Sequence, residues 1–301
     1  MSSPQNLKMG PVEWAMLIAL SLLWGGAFFF ARIAVQEVPP FTTVLVRVGL
    51  AAITLTMIIA LTRQHFSASG SLWRQFAMMG LLNNVIPFSL LFYGQTEIGA
   101  GLASIINGLT PIWTAIIAHF ATKDERLTPL KSIGVVAGFF GVAVLIGGSA
   151  SGGLGTSTLA QLAVVGTACA YGFASVYGRR FKAVPPIQTA RGQLTMSTLF
   201  MIPIVLVIDQ PWTLSWPGSD TIWALVLLAI VCTALAYILF FAVLQRAGAL
   251  NIALVTFLIP PSAIALGILF LGETLELNHL IGLGLIMAGL LAIDGRLFQR
   301  K

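Results

Sequence analysis

Acid is scarce in this chain: only 10 of its 301 residues are Asp or Glu, and charged residues of both signs make up 9%. A soluble domain carries charge at about a quarter of its positions, so this composition cannot cover a water-soluble globule of such length. The two cysteines, Cys169 and Cys232, lie in apolar runs without His or Asp at ligand spacing, which leaves neither a disulfide framework nor a metal site. His65, His119 and His279 are isolated, and no nucleophile constellation, phosphate-cradling Gly loop or two-His spacing accompanies them. Nothing here supports an enzyme, and no cofactor is expected. A membrane-embedded enzyme or a non-transporting scaffold stays as a distant alternative.

What is abundant is apolar sequence. Hydrophobic residues make up 57% of the chain and the mean hydropathy is +0.94, the profile of an all-α membrane protein. Ten stretches reach roughly 17 to 25 residues, the length that spans a hydrocarbon core about 30 Å thick. The expected spans are 13–32, 41–62, 74–93, 98–120, 128–147, 159–178, 187–208, 221–244, 249–271 and 279–297. The first lacks a small-residue cleavage signature and reads as a retained helix. The longest linkers, 147–158 and 209–220, leave no room for a soluble domain. The net charge of +6 comes from basic residues set between apolar runs. Anionic lipid and orientation explain it, so the lipid bilayer, not nucleic acid, is the expected partner.

Lys and Arg also give the orientation. With a cytoplasmic amino terminus, the inner ends and loops hold Lys8, Arg63, Arg74, Lys123, Arg126, Lys131, Arg179, Arg180, Lys182, Arg191, Arg246, Arg296, Arg300 and Lys301, fourteen of the sixteen cations. Arg32 falls outside, and Arg47 lies within the second helix. Both termini are therefore expected in the cytoplasm.

The chain repeats itself. VPPFTTVLVRVGLA at Val38 to Ala51 and VPPIQTARGQLTMS at Val184 to Ser197 align at a shift of 146, and TPIW at Thr110 aligns with IPPS at Ile259 at a shift of about 149. Two five-helix repeats, 1–150 and 151–301, follow. Five is odd, so the second copy enters from the opposite face, and the flanking charges agree: VQEVPP is external, RRFKAVPP internal. Inverted repeats of this kind are built for alternating access.

These residues carry a family resemblance. WGGAFFFARIAVQEVPPFTTVLVRVGLA, then AGLASIINGLTPIWTAIIAHFATKDERLTPLKSIGVVAGFFGVAVLI, then ALNIALVTFLIPPSAIALGILFLGETLELNHLIGLGLIMAGLLAI resemble, as an ordered set, the ten-helix EamA-type branch of the drug/metabolite transporter superfamily. The resemblance implies a bacterial inner-membrane, multi-pass permease, often an exporter of amino acids or other metabolites, with aromatic amino acid exporters the nearest likeness. Glu125 and Glu273 match the family's acidic position, but the Gly preceding it is absent from the first copy.

Five tryptophans, Trp14, Trp73, Trp212, Trp216 and Trp223, fall at expected membrane boundaries and read as an aromatic belt. Trp24, before Gly25 and Gly26, is either cavity wall or packing; Trp113 is packing. In helix 3, Asn83 and Asn84 must find partners in hydrocarbon, as substrate ligands or as bridges between helices. Asn84, Phe88 and Leu91 share a face, as do Thr233 and Tyr237 in the second copy. Helix 4 carries a stripe of Ala100, Ser104, Asn107 and Pro111. Pro111, Pro260 and Pro261 interrupt helices 4 and 9, as gating bends or as ordinary kinks. Gly134, Gly138 and Gly141 form a packing ridge that could also serve a dimer, so a monomer or a homodimer is expected. The expected substrate-binding set is Trp24, Asn84, Phe88, Asn107, Tyr171 and Tyr237.

No Asp or Glu lies in the middle of any helix; Glu13, Glu97 and Asp294 sit near ends. A cation/proton antiporter usually needs a membrane carboxylate. A small neutral or zwitterionic solute, amino acids foremost, is the expected cargo, with multidrug or other metabolite efflux as the alternative. Arg47 is the one intramembrane charge, about 2.5 to 3.5 kcal/mol on insertion scales if centred. It either has a structural or snorkelling role near the outer end or meets an anionic group of the substrate.

Overall fold

The computed structural model describes residues 9–63, 68–122, 125–149 and 156–294. Lys8, Lys123, Arg296, Arg300, Lys301 and positions 150–155 of the 147–158 linker lie outside the described residues. The elements are all helical: α1 Pro11–Ala34, α2 Pro40–Leu61, α3 Gly70–Glu97, α4 in two pieces, Ala100–Asn107 and Thr110–Ala121, and α5 Pro129–Ser149. The second five are α6 Thr156–Tyr177, α7 Pro186–Ile208, α8 Ser219–Gly248, α9 Val255–Leu271 and α10 Leu277–Asp294. Among the described residues nine helices are long and apolar enough to cross a membrane, and α9 adds a shorter apolar helix of 17 residues. Ten spans put the start of α1 and the end of α10 on one face, the terminal face; the α1–α2 loop opens on the other, the far face.

The repeated Val-Pro-Pro now has a physical reason. Pro39 and Pro185 cap α2 and α7, and Pro40 and Pro186 follow as first residues. There the missing N–H is one the helix cannot use, and the fixed φ is already helical. Ser69 caps α3 by accepting from the Leu72 N–H at 3.2 Å, and Gly272 closes α9 in the left-handed region at φ 65°.

The two halves interlock. α1 lies against α9 and α8 of the other half; α6, its counterpart, lies against α4 and α3. Glycines permit the closest crossings. A Cβ on Gly25 would stand 2.6 Å from Ser262 Cβ, and one on Gly172, 147 positions later, 2.9 Å from Trp113 Cβ. Ser262 follows Trp113 by 149 positions, so the same crossing is built twice. α5 packs on α10: a Cβ on Gly134 would meet the Gly289 carbonyl at 2.5 Å, and one on Gly141 the Gly282 carbonyl at 2.8 Å. That ridge packs within the chain.

The helix breaks differ from expectation. α4 breaks at Gly108 and Leu109, and Pro111 only opens its second piece. Pro260 and Pro261 lie inside a continuous α9; the chain instead breaks at Ala253 and Leu254, after a kink at Gly248 with φ 81°. Proline bends a ladder without ending it when neighbours meet the freed carbonyls. Both α3 and α8 also contain a π turn, Leu81–Val85 and Ile230–Leu235, at matching depths.

Candidate functional site

The π turns carry the central polar residues. In α8 the Thr233 hydroxyl donates to the Leu228 carbonyl, five residues back, at 2.7 Å. The same hydroxyl accepts from Arg47 Nε of α2 at 3.0 Å. In α3, Asn83 Nδ2 donates to Gln193 Oε1 of α7 at 3.1 Å and to the Tyr237 hydroxyl of α8 at 3.0 Å. Asn84 Nδ2 donates to Ser197 Oγ of α7 at 3.0 Å. The shift of 146 places Gln193 opposite Arg47, so each half sends an arm from its second helix to the π turn of the other half. One arm ends in a charge, the other in an amide.

Rings line these links. The Arg47 guanidinium carbon lies 3.7 Å above the Phe88 centroid. Phe88 meets Tyr171 edge-on at 6.4 Å, and Tyr237 stacks on Phe241 at 6.3 Å. Arg47 is 6% exposed and does not snorkel: its side chain turns inward to Thr233. Arg32 by contrast reaches the far face, donating to the carbonyls of Gln95 and Thr96.

On the far face, carboxylates reach across the halves to helix amino termini. Asp209 Oδ2 accepts from the Thr42 N–H at 2.6 Å and its hydroxyl at 2.8 Å. Glu37 accepts from the Gly218 N–H at 2.6 Å. Glu273 spans the start of α4, taking the Ala100 and Gly101 N–H groups at 2.6 and 3.0 Å. Unsatisfied N–H groups and the helix dipole make each terminus a natural seat for a carboxylate. A vestibule of about 560 Å³ lies beside these contacts, lined by Arg32, Glu37, Asp220, Thr221, Glu273 and His279 among others. On the terminal face, Glu13 pairs with Arg246 at 3.0 Å and Glu125 with Arg179.

The six expected site residues divide. Phe88, Tyr171 and Tyr237 stand together around Arg47. Asn84 is fully buried and ties α3 to α7, leaving its Oδ1 without a partner among the described residues. Asn107 sits at the break of α4 with its buried Oδ1 also unpartnered there. Trp24 packs on Phe240 at 5.4 Å, in a separate apolar cluster toward the terminal face. Asn83, Gln193, Ser197 and Thr233 complete the polar links and were not in the expected set. The 146-residue shift that pairs the Val-Pro-Pro turns marks Gln193 as the partner of Arg47; nothing in sequence separates Asn83 from Asn84. Trp113, read as packing, meets Phe139 edge-on at 5.2 Å.

Known proteins resemble this chain along its whole length. The EamA-like transporter family model fits twice, over residues 13–147 and 158–293. The uncharacterized transporter YoaV of Bacillus subtilis (strain 168) is 23% identical over 286 residues, 95% of this chain and 97% of its own. YvbV of the same organism, also an uncharacterized transporter, is 28% identical over 293 residues, 95% and 93% of the two chains. Protein PecM of Dickeya dadantii (strain 3937) is 26% identical over 287 residues, 93% and 91% of the two. One crystal structure superposes with a TM-score of 0.66 at 20% identity, covering 96% of this chain and 98% of that one, a likeness of fold.

Proposed function

The chain belongs to the EamA-like transporter family, and from that premise we propose a secondary transporter that exports a small neutral or zwitterionic metabolite, amino acids foremost and aromatic ones among them, by alternating access. The halves 1–150 and 151–301 are the units that rock. The observation that carries this reading is the pair of arms, Arg47 to Thr233 and Gln193 to Asn83, crossing between halves at the π turns. Related links on a pseudo-two-fold axis can be exchanged as the halves move. Phe88, Tyr171 and Tyr237 offer ring faces to an apolar group. Asn84, Asn107 and Trp24 complete the proposed binding set, the two amide oxygens as acceptors for an ammonium. The terminal face is assigned to the cytoplasm from the distribution of cations.

Counterflow in proteoliposomes containing no other protein tests the proposal. Phenylalanine, threonine, a quaternary ammonium drug and a sugar phosphate compete against one another; phenylalanine or threonine is expected to exchange. Competition by the drug or the phosphate alone overturns the amino-acid reading. Tyr237→Phe removes the hydroxyl that accepts from Asn83. One hydrogen bond is worth about 0.5–1.5 kcal/mol, so flux should fall roughly two- to tenfold with folding unchanged. Full flux in this variant removes Tyr237 from the path.

A further inference from the structure

Resting on that transport reading, we infer that Arg47 is an anion receptor, and that the solute presents a carboxylate or another singly charged anionic group to its guanidinium. Three observations carry it. The side chain is 6% exposed, yet among the described residues no carboxylate pairs with it, unlike Arg179 and Arg246. A guanidinium has five N–H donors, and one of them, on Nε, is taken up by Thr233. Buried charges are as a rule paired, so this one stands in the arrangement expected of a receptor whose anion comes and goes.

The second observation is the asymmetry of the two arms. At the equivalent place in the other half stands Gln193, 2% exposed, whose amide accepts from Asn83. The fold therefore needs only a neutral hydrogen-bonding group there, and the charge of Arg47 exceeds that need. The third is orientation. Phe88 covers one face of the guanidinium at 3.7 Å and Thr233 holds Nε, which fixes the plane of the fork and leaves its terminal N–H groups to meet a carboxylate side by side. Tyr171, Tyr237 and Cys232, also within electrostatic reach, are neutral groups that do not cancel the charge. One cation balances one negative charge, so a phosphate dianion fits poorly.

Three pairs of probes test this on the purified full chain: acetate, 3-phenylpropionate and L-phenylalanine, each against its primary amide, in which the carboxylate charge is removed. Ligand affinity is read from the shift of the thermal midpoint over a concentration series, for the parent protein, Arg47→Lys and Arg47→Gln. Carboxylates are expected to bind at least tenfold more tightly than their amides in the parent, with that preference lost in Arg47→Gln and kept in part by Arg47→Lys. Equal binding of acid and amide in the parent, absence of any carboxylate-dependent shift there, or an unchanged preference in Arg47→Gln overturns the inference. Arg47→Gln copies the residue the other half already uses and is expected to fold; should it not, loss or retention of the preference in Arg47→Lys and the parent comparison decide. The transport reading fails separately, by absence of counterflow for every solute. Counterflow of an uncharged or cationic solute that depends on Tyr237 and not on Arg47 keeps the transporter and removes the anion receptor.

Discussion

Gly25→Leu leaves no folded, monodisperse protein in detergent, Gly25→Ala lowers the thermal midpoint, and Gly26→Ala does neither. The three differ in what a new carbon meets. At Gly25 it would stand 2.6 Å from Ser262 Cβ and 2.9 Å from the backbone nitrogen of Ala263, so it presses α1 against backbone that cannot give. At Gly26 it would lie 3.6 Å from Cys232 Sγ, an ordinary contact. Overpacking costs about 1–3 kcal/mol where side chains can rearrange, and a stability of about 5–15 kcal/mol bounds what a domain can absorb. A leucine facing backbone exceeds what that crossing can accommodate. Size-exclusion chromatography and thermal melts of the three variants, with Gly172→Leu as the matching change in the other half, check the order. Equal melting of Gly25→Ala and Gly26→Ala would show that α1 and α9 do not cross this closely.

Glu273→Ala opens the far face. Its carboxylate receives two backbone N–H groups of α4 and is enclosed by glycines: a Cβ on Gly99 would lie 2.6 Å from it. Hydrogen bonds to a charged group contribute about 1.5–3 kcal/mol each, and each 1.4 kcal/mol is about a tenfold change in population. In the proposed alternating-access cycle, losing both shifts the balance toward an open far face by at least about tenfold. A cysteine at Thr221, buried in the vestibule wall, reports this in a background where Cys169 and Cys232 are replaced. A membrane-impermeant maleimide should label it at least tenfold faster in Glu273→Ala, with Glu273→Gln between the two. Labelling at the parent rate would assign Glu273 to local capping without a part in opening.

The helices were legible because hydrocarbon imposes a crude rule, a minimum apolar length, that survives errors of several residues at each end. The repeat was legible because proline at a helix start is punctuation that sequence preserves. The side chains around the axis were less so. Asn83 and Asn84 are both amides in an apolar run, and about 100° of rotation separates one that meets Tyr237 from one that meets Ser197. Arg47 stands two turns from a helix end, where an outward and an inward rotamer read alike in sequence; only the position of Thr233 across the interface distinguishes them. The breaks in helices 4 and 9 are expected at prolines because proline is the visible breaker, while α4 breaks at Gly108 and Leu109 and the chain before α9 kinks at Gly248 and breaks at Ala253 and Leu254.

The two π turns carry a consequence for how this gene came to be. A π turn accommodates one residue beyond the α-helical count, and such turns are rare. Here they occupy Leu81–Val85 and Ile230–Leu235, the same place in the two copies. One insertion in a single five-helix ancestor, carried through when that gene was doubled, accounts for both; separate insertions after doubling would have had to strike the same turn twice. On that order of events the bulge precedes the pairing of the halves, and Arg47 and Gln193 diverged afterwards. A descendant of the undoubled ancestor, assembling from two identical chains of opposite orientation, would carry the extra residue in its third helix and one residue type in both arms.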